Sequence, residues 1–340
     1  MQENFKTIFT GRLDFANSRS FDKVVKLYDH RMENYYKTEV LLQSEEVFNE
    51  EKLCLDIPRF ITLAPKKKWQ NTINLLNAVA EYAVAGDIKA WMMLDGKLID
   101  RHYIEPDSDK TAVKEFQRGR KLLQQPETME DAFEAFTRAI AKFDKHAVAY
   151  ERRGFVNFSL KNYEDAIYDY TKSIKYNDAI PQPYLGRGLV QMNLQNYKEA
   201  IEDFDQSVKR AMPLQSIYWH ARRVKADCLM ALNDYEGAVK ELTLFSKRRF
   251  TPDNRNFLWR KKIFFNLGKC LMELERYKEA VEAFTSAIEI EEGKGNVSDL
   301  ELLVNRGISR KKGGMKGFRT DWQEAADKGS EAAAELLSNK

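Results

Sequence analysis

The chain has 340 residues, of which 43% are hydrophobic and 31% charged. That is too long for one ordinary domain and apolar enough for a sizeable core, so two domains or a repeat array is expected; the 16 Gly and 8 Pro exclude collagen-like, low-complexity and loop-rich all-β chains. With 55 basic and 52 acidic residues the net charge is +3, too balanced to make nucleic acid the main partner.

The first residues, MQENFKTIFTGRLDF, show no basic stretch followed by an apolar run, so no secretory signal is expected. No run of 18 apolar residues occurs, so no membrane insertion is expected. Cys54, Cys228 and Cys270 are odd in number, widely spaced and free of any CxxC. They disfavour a disulfide framework and a thiolate zinc site and suit a reducing compartment, so the expected location is cytoplasmic.

In chain order, FKTIFTGRLDF alternates and is rich in β-formers, which predicts a strand. SFDKVVKLYDHRMENYY predicts a helix with Ser20 as N-cap. EVLLQSEEVF and KLCLDIPRFITL predict strands, and KKWQNTINLLNAVAEYAVAG an amphipathic helix ended by Gly86. DIKAWMML and KLIDRHYIE predict a hairpin about Asp95-Gly96. This order predicts a small α+β domain over residues 1–108, a ferredoxin-like sandwich or a simple relative of it, with Asp107-Ser108-Asp109 as the junction to a helical domain over 109–340.

Beyond the junction a pattern recurs. Tyr163/Ala166, Tyr197/Ala200, Tyr235/Ala238 and Tyr277/Ala280 share one spacing, with Met129/Ala132 as a degenerate copy. Four residues after each Ala stands a large residue (Phe136, Tyr170, Phe204, Leu242, Phe284), and seven after it usually a small one. Twelve residues before the Ala lies another small residue: Gly154, Gly188, Ala226 and Gly268. Offsets of 0, 4 and 7 fall on one helical face, so each unit is predicted to be two helices in close approach.

These residues resemble the tetratricopeptide repeat family, most specifically where YERRGFVNFSLKNYEDAIYDYTKSI and YLGRGLVQMNLQNYKEAIEDFDQSV stand 34 residues apart. A sixth unit keeps Gly307, Trp322 and Ala325 but is one residue short, and SEAAAELLSN reads as a final capping helix. The ending resembles those of bacterial members of the family. The resemblance implies a mainly α chain, an α-solenoid of about six helix pairs following the α+β domain. Ala-to-Ala spacings of 34, 34, 38 and 42 place extra residues near Pro213 and Pro252, and Phe245 replaces a small residue in the fourth unit.

Catalytic motifs such as GxSxG, HExxH, GxGxxG and GxxxxGK[ST] are absent, and His30, His102, His146 and His220 lack metal-ligand spacing. No catalytic residue, metal or cofactor is therefore expected. Asp14, Asp56 and Asp95 would form an acidic site only if their strands brought them together.

The resemblance further implies a concave groove lined by the first helix of each pair, which commonly holds a peptide. The residues expected to face it are Arg120 in the first unit, Arg152, Phe155 and Phe158 in the second, and Leu185, Leu189 and Met192 in the third. In the fourth they are Arg223, Asp227 and Met230, and in the fifth Phe265, Asn266, Lys269 and Met272. Such a surface suits an apolar peptide with acidic character. Members that grip a C-terminal carboxylate use Lys, Arg and Asn on three successive first helices. Here the places carry Phe116 and Arg120, Arg152, then Gln182 and Gly186, without the two Asn, so that mode is disfavoured. The leading expectation is a non-enzymatic adaptor or scaffold for a protein or peptide partner. The alternatives are a ligand-binding or enzymatic N-terminal domain regulated by the repeats, and homo-oligomeric self-association through an open sheet edge.

Overall fold

A computed structural model describes residues 3–291, 293, 295 and 297–338. By contact, the chain divides into two units, Met1–Gly186 and Arg187–Lys340.

The first unit begins with β1 (Asn4–Asp14), α1 (Ser18–Asn34), α2 (Ser44–Val47), β2 (Phe48–Asn49), β3 (Cys54–Pro65), α3 (Lys66–Ala80), β4 (Ala85–Leu94) and β5 (Lys97–Ile104). The cap of α1 is Asn17, whose side chain accepts from the Ser20 amide, so the N-terminus lies three residues before the expected one. The stretch expected as a strand before residue 49 is instead irregular through Gln43, then the short helix α2, followed by the two-residue β2.

All neighbours in the sheet β2-β3-β1-β4-β5 are antiparallel. Strands β3 and β4 both run against β1, so β3-α3-β4 is a split β-α-β unit with β1 between. A ferredoxin-like sandwich carries two such units. Here β1 and β3, joined through α1, are direct neighbours. Phe9, Leu13, Leu55, Ile57, Ala90 and Met92 pack with Val24 and Tyr28 of α1 and Trp69, Ile73 and Leu76 of α3, so both long helices cover one face of the sheet. Gly11 (φ 138°) sits where an added Cβ would lie 2.1 Å from the Asp87 carbonyl oxygen, so only glycine lets β1 and β4 pair there.

The repeats follow as six helix pairs: α4 (Thr111–Leu122) with α5 (Met129–Lys142), α6 (Ala147–Ser159) with α7 (Tyr163–Tyr176), and α8 (Pro181–Asn193) with α9 (Tyr197–Arg210). Then come α10 (Ser216–Ala231) with α11 (Tyr235–Ser246), α12 (Arg260–Glu273) with α13 (Tyr277–Ile288), α14 (Asp299–Lys312) with α15 (Phe318–Asp327), and the capping helix α16 (Glu331–Ser338). Four first helices end alike. Lys161, Gln195, Asn233 and Glu275 take φ between 56° and 64°. The next amide bonds back five residues, as Asn162 to Asn157, Asn196 to Gln191, Asp234 to Leu229 and Arg276 to Leu271, each at 2.8–2.9 Å. This closes the helix carbonyls and reverses the chain.

Within each pair a small residue of the first helix receives a large one of the second. A Cβ on Gly188 would stand 2.6 Å from the Phe204 ring, one on Gly268 2.6 Å from Phe284, and one on Gly307 2.3 Å from Trp322. In the fourth pair the small residue is Ala226 and the large one Leu242, a methyl added on one side and an aromatic ring replaced by a smaller group on the other.

The residues just before these contacts form ion pairs that the periodicity of apolar residues did not reveal. Arg153 grips Asp169 with two bonds of 2.9 and 2.7 Å, and Arg187 grips Asp203 at 2.8 and 2.7 Å. Lys225 lies 3.0 Å from Glu241, and Arg306 binds Asp321 at 2.6 Å. In the fifth pair the same two places hold Leu267 and Ala283, both buried. The extra residues near Pro213 lengthen α10, whose Trp219 indole donates to the Pro213 carbonyl at 2.7 Å. The insertion near Pro252 brings Phe250 onto Phe245 and Trp219, with ring centroids 4.9 and 5.6 Å apart, so the oversized Phe245 is covered by residues from the inserted loop.

Gly188→Ala should lower the urea midpoint, because overpacking costs about 1–3 kcal/mol and the helix-propensity gain returns only ~1 kcal/mol. In a Phe204→Leu background, where the space is open, the same substitution should raise it. Equal effects in both backgrounds would disprove the close contact.

Candidate functional site

In the first unit the first-helix faces of the repeats meet the outer face of the sheet across a cavity of about 610 Å³. Phe116 and Arg120 of α4, Glu151 and Arg152 of α6, and Gln182 of α8 form one wall. Asp87 and Lys89 of β4 and Tyr103 of β5 form the other. Two polar contacts beside it join the α+β part to the repeats: an Arg12 Nη1–H donates to the Tyr176 carbonyl at 3.2 Å, and Arg120 pairs with Glu105.

The walls are charged but balanced. Lys89 lies 2.8 Å from Asp87. Burial alone would lower the Lys89 ammonium, but Asp87, with Tyr103 and Glu151, outweighs it and holds the proton more tightly than usual. Burial pushes the Glu151 carboxyl up, opposed by Arg152 and Lys89. Arg152 Nε is 3.2 Å from Glu151 Oε2, close enough for an ion pair yet not aligned as a hydrogen bond. Gln182 Oε1 is buried without a donor. The arrangement can receive a polar group that donates to Gln182 and accepts from Arg152. It holds no nucleophile beside a base.

Beneath the Phe116 ring, 4.8 Å away between centroids, lies His146. Its Nδ1 accepts from the Ala149 amide at 3.2 Å and caps α6, while Nε2 is buried without a partner. Burial, more than the opposing backbone hydrogen bond, pushes this imidazole down to about 3.

The structure thus brings Arg120 and Arg152 together at one cavity, beside Phe116 and Gln182. Phe155, one turn along α6, is 40% exposed, and Phe158 is half-buried with its ring 6.1 Å from Tyr163. Leu185, Leu189 and Met192 are half-buried along α8. In the second unit Arg223 stacks 3.7 Å over the Trp259 ring and lies 3.8 Å from Asp227, which accepts from Asn266 at 3.1 Å. Phe265 and Asn266 are buried, so these two side chains are packed within the unit rather than presented to a partner. Lys269 is exposed with its ammonium 5.5 Å from the Phe265 ring, and Met230 and Met272 pack against the core of this unit.

Asp87, Lys89 and Glu105 were not legible as site residues, since only the fold brings β4 and β5 to the repeats. The charge alternation AGDIKAW was the one available signal. Of the three strand aspartates, Asp14 and Asp56 gather about Arg12, while Asp95 sits in the β4–β5 turn, roughly 30 Å along the strand from the residue facing Asp14. Among the described residues no group of three or more His, Cys, Asp or Glu is placed to hold a metal ion. All three cysteines are buried, which pushes each thiol up to about 12.

Paired antiparallel helices, locked by small-to-large contacts and, after the first pair, reversed through a left-handed residue, define a helical-repeat protein. Family profiles described as tetratricopeptide repeat match residues 185–244 and 262–294. These two stretches are tetratricopeptide repeats. Its fold is similar to that of YrrB, described as a TPR protein with an unusual peptide-binding site, at 21% identity and a TM-score of 0.50 over 60% of this chain and 98% of that one. It is also similar to PilF of Pseudomonas aeruginosa, at 13% identity and a TM-score of 0.50 over 68% and 99%. A third likeness is the C-terminal part of a TPR repeat-containing protein of Cytophaga hutchinsonii, at 17% identity and 0.49 over 65% and 80%. No curated protein matches the sequence. No helix among the described residues is long and apolar enough to cross a membrane.

His146 gives the site a pH signature. Above the unfolded value of 6.5 both states are neutral and stability is complete. As pH falls below 6.5 the unfolded chain takes up a proton that the folded chain refuses, and stability declines until the folded value near 3 is reached. From pH 7 to 5 this single group should remove about 2 kcal/mol. His146→Asn, which keeps a capping acceptor, should flatten that limb in urea titrations at the two pH values. An unchanged slope would mean that the imidazole is hydrated.

Proposed function

We propose that the chain is a non-enzymatic adaptor that binds a protein or peptide partner along the first-helix face of its repeats, with the N-terminal α+β part as a second contact module. The observation that carries this reading is on α6: a 40% exposed Phe155 one turn from Arg152, a guanidinium whose nearest carboxylate meets it without hydrogen-bond alignment. An exposed aromatic anchor beside an under-used guanidinium suits an apolar segment carrying a carboxylate. The domain boundary we propose is residue 108/109, between the last strand and the first repeat helix. The peptide-binding site named for YrrB supports the same use of a similar fold. Three buried thiols suit a reducing compartment, and we assign the adaptor to the cytoplasm.

The cavity itself favours a second reading, in which a small polar ligand sits between β4 and α6 and the repeats respond to it. Gln182 Oε1, buried without a donor, is the observation behind it.

The test of the first reading is capture from native lysate by the full chain and by Arg152→Glu/Phe155→Ala, read by mass spectrometry. Both positions are partly exposed, and circular dichroism checks that the variant is folded. A partner held by the wild type and weakened at least ten-fold in the folded variant is expected. Equal capture by both would remove the adaptor reading at this face, and stabilisation of the wild type by a small polar compound would favour the second.

A further inference from the structure

We propose that the outer face of the N-terminal sheet, beyond the rows that meet the repeats, docks an acidic amphipathic helix of a partner protein. One face of this sheet is covered by α1 and α3. Residues paired directly across antiparallel strands share a face. The registers therefore place two rows on the other side: Leu63–Lys6–Met93–Leu98 and Ile61–Ile8–Trp91–Arg101. Ile8 and Trp91 are buried at the centre, while Ile61, Leu63 and Leu98 are 51%, 70% and 48% exposed. Ile61 and Leu63 on β3 and Leu98 on β5 flank the half-buried Met93, and large aliphatic groups left this open mark an interface.

Charge selects the occupant. Lys6 and Arg101 are exposed on this face, and neither meets a carboxylate among the described residues. Two lone cations on an apolar face complement an apolar stripe that carries acids. An anionic bilayer is the poorer fit, because lipid-binding surfaces generally gather about four to eight cations. Lys6 and Arg101 lie two strands and one row apart, about 12 Å between backbones. On a helix rising about 1.5 Å per residue, that span is two acids seven or eight residues apart on the apolar stripe. Such a helix would extend the layer that the repeats begin at Lys89 and Tyr103 on this same side.

The probe is a fluorescein-labelled helical peptide with a leucine stripe and two Glu seven residues apart, alongside a twin with Lys in their place. Each is titrated with the full chain by fluorescence anisotropy. The Glu peptide should bind the wild type, lose at least ten-fold affinity with Lys6→Glu/Arg101→Glu, and weaken with Leu63→Ser. The Lys twin should prefer the doubly charge-reversed chain. Both variants change exposed residues, and circular dichroism checks their fold. Equal binding of the two peptides, or no loss in either variant, overturns the proposal. So does capture by phosphatidylserine vesicles that the charge reversal abolishes while the Glu peptide fails to bind, or a dimer in light scattering that Leu63→Ser dissolves. None of these residues lies on a repeat helix, so Arg152→Glu/Phe155→Ala should leave peptide binding here unchanged, and the two readings fail separately.

Discussion

The contact on which the helical part depends is a ring lying where a side chain would be. Each helix pair closes to a distance at which Gly188, Gly268 or Gly307 has no room for a Cβ beside Phe204, Phe284 or Trp322. A helical glycine costs about 1 kcal/mol relative to alanine, and the buried aromatic ring recovers several times that. The contact also fixes geometry, since a close approach at one point sets the spacing of the two helices along their length. The Ala226/Leu242 pair shows that the constraint is on the sum of the two volumes rather than on either residue.

The ion pairs beside these contacts act on that geometry differently. Arg153–Asp169 and Arg187–Asp203 are two-point grips with the acid almost wholly buried. Such pairs contribute little net stability, because desolvation offsets attraction, but they are directional. The fifth pair, with Leu267 and Ala283 in the same places, exchanges direction for apolar burial. There the cleft among α11, α12 and α13 has a volume of about 430 Å³ and a floor that includes these two residues.

Much of this was legible because it is local. Small and large residues at offsets of 12, 4 and 7 predict pair after pair, and the structure carries six pairs and a cap. The N-terminal part was less so. The helices and the β4–β5 hairpin follow from periodicity and Asp95-Gly96, but the strand order depends on pairings 40 to 87 residues apart that leave no local trace. The segment before residue 49 misled because its apolar spacing suits a strand, whereas Glu46 reaches back to the Gln43 amide and starts a helix. The candidate groove shows the same division. Arg120, Arg152 and Phe155 follow from helical phase. That Asp87 and Lys89 would stand opposite them does not, nor that Trp259, delivered by an inserted loop, would cover Arg223.

The spacing from the small residue to the Ala is 12 in four successive pairs, while the spacing from one pair to the next runs from 34 to 42. Length therefore varies by no more than a residue inside a pair and by up to eight between pairs. In these four pairs the turn is short, left-handed and tied by a backbone bond, while the ring still meets its glycine one residue further on in the first pair, Gly119 to Phe136, and one residue sooner in the last, Gly307 to Trp322. The connection between pairs carries no such tie. It has already absorbed four residues near Pro213 and eight near Pro252, the second time turning the surplus into new packing through Phe250. The chain is thus built from nearly fixed links on extensible joints. New sequence entering it, by evolution or by design, would be accommodated at the joints, where a graft can reach solvent without disturbing any of the six closures.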